Sequence, residues 1–153
     1  MKPLLGGCAC REVRYECKEK PLVQFICHCR DCQHTSGGAF MAFVFVPRDR
    51  LTYLSGSLHH HDVRAESGRE LRRQFCSACG SPISAFWPGA PMVELLTVAS
   101  LDDQSIFTPT HELWMSRAEA WHPVHPDTVK LAEGPDEELV RGPVRTYFAT
   151  RQA

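Results

Sequence analysis

The sequence predicts a mainly β fold with short helical turns near its C-terminal end. Three observations carry that prediction. Residues 13–17 alternate Val13, Tyr15 and Cys17 with Arg14 and Glu16, the period of a half-buried strand. Residues 40–46 (FMAFVFV) are apolar on both faces, as in a central strand covered on both sides. The 11 prolines and 10 glycines are spread along the whole chain, so they punctuate many short elements and leave no separate linker.

The remaining elements follow in order. Pro47 ends the central strand, and residues 51–54 read as a further strand stopped by Gly56. Residues 58–63 and 70–76 read as the arms of a hairpin that turns at Glu66, Ser67 and Gly68. Residues 92–99 are a second buried run, closed by Leu101, Asp102 and Asp103, and residues 111–115 are a short strand. Helical signals come late. Ser116 as N-cap, with Glu119 three residues on, predicts one or two turns over 116–121, ended by Pro123. Residues 136–140 predict another short turn, ended by Gly142 and Pro143. Without an internal repeat or low-complexity tract, residues 1–153 read as one domain. At 153 residues about two-thirds of the unfolded surface can be buried, so the chain is long enough to build one hydrophobic core without help from metal.

Composition excludes several classes. A chain 43% hydrophobic and 23% charged is not disordered over most of its length. With 17 basic and 18 acidic residues its net charge is -1, which supports neither a nucleic-acid nor an anionic-membrane partner. No apolar run approaches the roughly 20 residues of a membrane-spanning helix. The start, MKPLLGGC, ends like a lipoprotein cleavage site, but the apolar run before it is only Pro3, Leu4 and Leu5. A signal sequence needs roughly 7 to 15 such residues, so a cytoplasmic, reducing location is the expectation. Oligomeric state is not readable from the chain.

A reducing compartment turns eight cysteines toward metal rather than disulfides. Seven of them fall into three groups: Cys8 and Cys10 (CAC), Cys27, Cys29 and Cys32 (CHCRDC), and Cys76 and Cys79 (CSAC). In extended chain, residues two apart face one side, so CxC offers two sulfurs to one ion. A CxxC followed by Gly80 bends back until its thiolates converge. Zinc takes four ligands at tetrahedral angles, and seven cysteines do not divide into two complete sets. Two pairs make a closed, structural site, whereas a triplet leaves a position for water or substrate. A site joining Cys8 and Cys10 to Cys76 and Cys79 would also clip together a loop of more than sixty residues. Alternatives stay open for some residues. His28 or His34 would close the triplet as a fourth ligand. Cys17 follows the apolar phase of its strand and reads as a core cysteine. His59, His60 and His61 alternate faces along a strand and read as solvated rather than as a third metal site.

The ordered pieces resemble the glutathione-dependent formaldehyde-activating enzyme family, also called the centromere protein V/GFA domain family. They are Gly7-Cys8-Ala9-Cys10 with Val13-Arg14-Tyr15, and Cys27-His28-Cys29-Arg30-Asp31-Cys32 with Ser36-Gly37 and Phe40. Gly56, Ser67-Gly68, Arg73, Phe75 through Ser81, Leu101-Asp102-Asp103, His111, Ser116-Arg117 and Trp121 continue the pattern, which spans roughly residues 6–126. The resemblance implies a β-rich, zinc-stapled tent similar to the Mss4-like proteins. It implies two zinc ions per chain: a structural zinc on Cys8, Cys10, Cys76 and Cys79, and a catalytic zinc on Cys27, Cys29 and Cys32. Arg11 stands where the family commonly has glycine, and His61 where an aromatic residue is frequent.

The same resemblance implies a zinc-dependent carbon–sulfur lyase or synthase of the S-(hydroxymethyl)glutathione synthase type. A small thiol such as glutathione would bind at the open three-cysteine site and react with formaldehyde. Arg30, Arg64, Arg72 and Arg73 are candidates to receive glutathione carboxylates. His111 and Asp102 are candidates for proton transfer. The rival expectation is a non-catalytic zinc module that binds a protein or sequesters thiols. Residues 127–153, beyond the resemblance, have no assigned role.

Overall fold

A computed structural model of the protein describes residues 2–135 and 137–151. In chain order its elements are β1 (Leu4–Gly7), β2 (Arg14–Cys17), β3 (Val23–Cys27), α1 (Arg30–Ser36), β4 (Met41–Pro47), β5 (Leu51–Ser55), β6 (Leu58–Arg64) and β7 (Glu70–Cys76). They continue with β8 (Pro82–Phe86), β9 (Val93–Thr97), β10 (His111–Leu113), β11 (Val129–Lys130) and α2 (Glu137–Ala149). Two sheets result. The smaller has the order β1-β2-β5, and the larger β11-β10-β3-β4-β9-β8-β7-β6. All pairings are antiparallel except β10 with β3 and with β11. Among the described residues no helix is long and apolar enough to cross a membrane.

The strand β4 shows how the layers arise. Side chains alternate across a sheet, so Val44 and Val46 face the small sheet and join Val13, Tyr15, Cys17, Ile83 and Leu96 in one core. Met41, Phe43 and Phe45 face the opposite side and join Val23, Phe25 and Leu95 in a second core. Polar ties also cross between the sheets. The Tyr53 hydroxyl on β5 donates to Glu94 Oε1 on β9 at 2.7 Å, and Ser84 on β8 donates to the same atom at 2.6 Å. Glu94 is only 1% exposed, and these donors, with Arg48 Nε at 3.3 Å, satisfy its buried carboxylate. Cys17 is a core residue whose thiol burial pushes up to about 11.

The expected hairpin is β6–β7. Its turn is closed by Gly68 N–H donating to the Ala65 carbonyl at 2.7 Å. The expected buried run is β9, followed by a 3-10 turn at Val98–Ser100. The histidine run lies exposed on β6, at the edge of the large sheet.

Elsewhere the structure corrects the expectations. Strands β1, β3 and β8 and helix α1 are present where no element was expected. Helix α1 has no apolar period to announce it. Long-range bonds hold it instead: Gln33 Nε2 donates to the Ala39 carbonyl at 3.2 Å and to the Arg117 carbonyl at 3.0 Å. Gly37, at φ 69°, caps its end with an N–H bond to the Gln33 carbonyl. The helix expected over 116–121 is only a 3-10 turn at Met115–Arg117. The strand expected over 111–115 stops at Leu113, because Trp114 is left-handed, at φ 59° and ψ 44°. That backbone costs a non-glycine residue about 1–2 kcal/mol. Trp114 N–H donates to the Glu133 carbonyl at 2.9 Å, so the later chain holds the conformation in place.

The short turn expected over 136–140 begins at Asp136, outside the described residues. From Glu137 the chain is helix α2, which runs through Gly142 and Pro143 to Ala149. Proline forfeits one helical hydrogen bond. Leu139 on this helix packs against the second core, a tertiary contact that local propensity does not record.

Arg11 also sits in the left-handed region, at φ 66°, where its N–H donates to the Cys8 carbonyl at 3.0 Å. This explains why glycine suits that position. Arg11→Gly is expected to raise stability by roughly 1 kcal/mol, read as a higher urea midpoint at unchanged slope.

Candidate metal centres

The first cluster lies where the sheets meet. Cys8 and Cys10 sit in the loop between β1 and β2, and Cys76 ends β7. Gly80, at φ 72°, turns the chain after Cys79 and donates its N–H to the Cys76 carbonyl at 3.0 Å. Both cysteine pairs thereby converge, with all four sulfurs within 4.8 Å of one another. Sγ of Cys8 lies 3.4 Å from that of Cys10, and Cys10 Sγ lies 3.8 Å from Cys76 Sγ. Four sulfurs about 2.3 Å from a common centre at tetrahedral angles sit about 3.8 Å apart, so this set fits zinc. Those separations are far beyond a disulfide bond.

Donors around the sulfurs favour ionisation of some of them. The hydroxyl and N–H of Ser81 draw Cys79 down to about 5. Cys8 is buried, which opposes ionisation. The Val13 N–H at 3.2 Å from its sulfur, together with the Cys10 and Cys76 thiols, outweighs this and lowers it. Cys10, despite the Glu12 N–H, is pushed up to about 12 by its bonds to the Cys8 and Cys79 thiols.

The second cluster is built at one chain reversal. Cys27 ends β3, Cys29 caps α1, and Cys32 lies in the first helical turn, three residues on and hence on the same side. Their sulfurs also lie within 4.8 Å of one another. His28, between two of them, points elsewhere. Its Nε2 is 3.3 Å from Glu112 Oε1, and both residues are 1% exposed. Burial would push the Glu112 carboxyl up. The His125 N–H, Thr128 hydroxyl, His28 and Lys130 overcome it and hold Glu112 below the usual carboxylate range. This hydrogen-bonded network anchors His28 and so fixes the backbone between Cys27 and Cys29.

Hydrogen bonds from Cys27 and Cys32 bring Cys29 down to about 3, helped by the Arg73 charge. Bonding to Cys29 and Cys32, with burial, drives Cys27 up. Cys32 gains from Cys27 but rises to about 12 through its bond to Cys29 and its burial. A dication held by Cys27, Cys29 and Cys32 would take the place of the shared S–H protons and allow all three to ionise.

Neither His28 nor His34 joins the cluster among the described residues, so the alternative of a closing histidine is not met. Of the four arginine candidates, only Arg73 reaches the site. It is 9% exposed, with Nη2 3.7 Å from Cys32 Sγ. Arg30 is exposed and pairs with Glu119 at 3.1 Å, Arg72 pairs with Asp62 at 2.7 Å, and Arg64 is exposed. Asp102 pairs with Arg14 near the first cluster, and His111 Nδ1 contacts the Thr110 hydroxyl at 2.8 Å. Neither lines the space beside Cys27, Cys29 and Cys32.

That space is a cavity of about 310 Å³ with all three cysteines in its wall. The sequence reading missed it. A signal was present in Phe43 and Phe45, which recur every second residue on one face of an otherwise aliphatic strand.

The Arg73 guanidinium lowers both Cys29 and Cys32. Arg73→Gln removes a stabiliser of the thiolate form, so both should then titrate at higher pH. The expected result is an upward shift of the pH at which these thiols react with iodoacetamide in the metal-stripped protein. An unchanged profile would show that the guanidinium does not act on them.

The sequence profile of the glutathione-dependent formaldehyde-activating enzymes matches residues 3–117, which contain both cysteine clusters. The chain belongs to the glutathione-dependent formaldehyde-activating enzyme family. No curated protein matches it. The fold is similar to the crystal structure of a Rhodobacter sphaeroides protein, a Northeast Structural Genomics target. That likeness has a TM-score of 0.51 at 19% identity and covers 64% of this chain and 87% of the other. Both clusters of this family member can hold a metal ion, and their all-thiolate donors suit zinc. The family profile ends at residue 117, before Gly134, Pro135 and Leu139, which line the cavity.

Proposed function

We propose that the protein is a zinc-dependent carbon–sulfur lyase or synthase of the S-(hydroxymethyl)glutathione synthase type. One zinc would rest on Cys8, Cys10, Cys76 and Cys79 as a structural ion. A second, catalytic zinc would rest on Cys27, Cys29 and Cys32. The carrying observation is that three converging cysteines, with no fourth ligand residue among the described residues, line a cavity large enough for a small molecule. When bound there, zinc would hold a substrate sulfur as thiolate.

The chain's own residues would divide the remaining work. Three cysteine thiolates keep the site electron-rich, which favours delivery of a sulfur nucleophile over activation of water. Arg73 offsets part of their charge from beside Cys32. The cavity orients the thiol and its carbonyl partner. In the forward direction the sulfur adds to formaldehyde: a carbon–sulfur bond forms, the carbonyl π pair moves to oxygen, and the proton lost by the thiol ends on the new hydroxyl. The reverse reaction breaks the same bond and returns the proton to sulfur.

Exchange NMR tests the reading. The zinc-loaded protein should speed interconversion of formaldehyde with a small-thiol adduct above the spontaneous rate, glutathione being one thiol of the set. Metal analysis should give two zinc ions per chain. No acceleration with any thiol of the set would overturn it in favour of a non-catalytic zinc module.

A further inference from the structure

Resting on that reading, we propose that the substrate is an adduct of an apolar thiol, with sulfur carried by an aryl or branched-alkyl body, rather than of a charged peptide thiol. The wall beside the three cysteines is aromatic. Phe25 and Phe45 meet edge to face at 5.2 Å between ring centroids, and Phe45 meets Trp87 at 5.6 Å and 80°. Leu71 and Leu95 extend the surface. An enclosure of about 150 Å³ lined by such residues holds benzene, so about 310 Å³ admits a substituted ring.

Charge points the same way. Glutathione brings one ammonium and two carboxylates. Among the described residues lining the cavity there is no Asp or Glu to receive an ammonium, and the only cations are Arg69 and Arg73. Arg73 is buried against Cys32, and Arg69 is exposed. An ammonium seated against this wall would lose hydration with no described carboxylate to offset it, whereas an apolar body gains from the same transfer.

Part of the far wall lies beyond the matched family region, which ends at residue 117. Trp114, in its left-handed conformation, lines the cavity with Gly134, Pro135 and Leu139. Three backbone bonds fasten the segment before α2 to this turn: Trp114 N–H to the Glu133 carbonyl, Met115 N–H to Leu131 and Ser116 N–H to Ala132, at 2.9 to 3.0 Å. The region with no role in the sequence reading thus supplies the specificity-determining side of the site.

The test compares phenylmethanethiol, its oxygen counterpart phenylmethanol, and glutathione on the zinc-loaded protein. Tryptophan fluorescence reports entry beside Trp87 and Trp114. Calorimetry in two buffers of different ionisation enthalpy counts protons released when a thiol becomes thiolate. Phenylmethanethiol should bind at least ~10-fold more tightly than glutathione, the scale on which an apolar pocket rewards even small apolar groups. It should release a proton and be turned over with formaldehyde in preference to glutathione. Leu139→Lys, on the outlying helix, should weaken phenylmethanethiol at least ~5-fold without weakening glutathione. Equal or tighter glutathione binding with proton release would overturn the inference and leave the carbon–sulfur reading standing. Phenylmethanol matching phenylmethanethiol, with no proton released by either thiol, would overturn the inference together with the reading beneath it.

Discussion

Cys76→Ser is expected to lower stability by more than ~4 kcal/mol, about what a ligand bound only by the folded chain contributes at ~1,000 times its dissociation constant. Cys76 is fully buried at the end of β7, inside the core between the two sheets. Its sulfur lies 3.8 Å from that of Cys10, which is 66 residues away along the chain. The cluster therefore joins the β1–β2 loop of the small sheet to the β7 end of the large one. A metal there is bound by the folded chain and not by the unfolded one, so its binding energy is folding energy. Serine is a poor zinc ligand. Because a domain is stable by about 5–15 kcal/mol in total, the variant should unfold at a much lower urea concentration. A strong chelator should move the wild type most of the way toward the same midpoint. A wild-type midpoint that ignores the chelator would remove the metal from the explanation and leave only packing.

Cys29→Ser is expected to separate activity from fold. Its cluster lies on the other face of the large sheet and opens onto a cavity, so no sheet-to-sheet junction depends on it. The variant should lose one zinc per chain, keep its circular dichroism spectrum, and slow thiol–formaldehyde exchange by ~10³-fold, the scale of a lost metal-assisted step. The substituted hydroxyl cannot replace the thiolate, which Cys29 forms most readily of the three. Full metal content with an unaltered rate would exclude this cluster as the reacting centre. Together the two variants assign stability to one cluster and chemistry to the other.

Legibility in the sequence followed the range of the forces involved. Strand β2, the doubly apolar β4 and the β6–β7 hairpin are set by alternation and turn residues within a few positions, so they could be read. Helix α1 could not, because Gln33 holds it through carbonyls of Ala39 and Arg117. Helix α2 runs through its own Gly142 and Pro143, and Leu139 on it packs against the second core, a contact that local propensity does not record. Arg73 could not be told from Arg30, Arg64 and Arg72 in the sequence. Its place on β7 buries it beside Cys32, whereas the other three are not buried.

The sequence by itself determined that this is a mainly β member of its family with cysteines in groups of two, three and two. Local spacing alone brings sulfurs within each group together. Tertiary structure decided which groups meet, since Cys10 and Cys76 approach only through the placement of β7 against the small sheet. It also decided what the triplet faces. Phe25, Phe45, Trp87 and Trp114 come from separate strands and loops, and only the strand order of the large sheet and the return of the chain at Gly134, Pro135 and Leu139 gather them into one cavity. Contacts between residues so distant in sequence depend on chain closure and burial across the whole domain, and no short window of sequence records them.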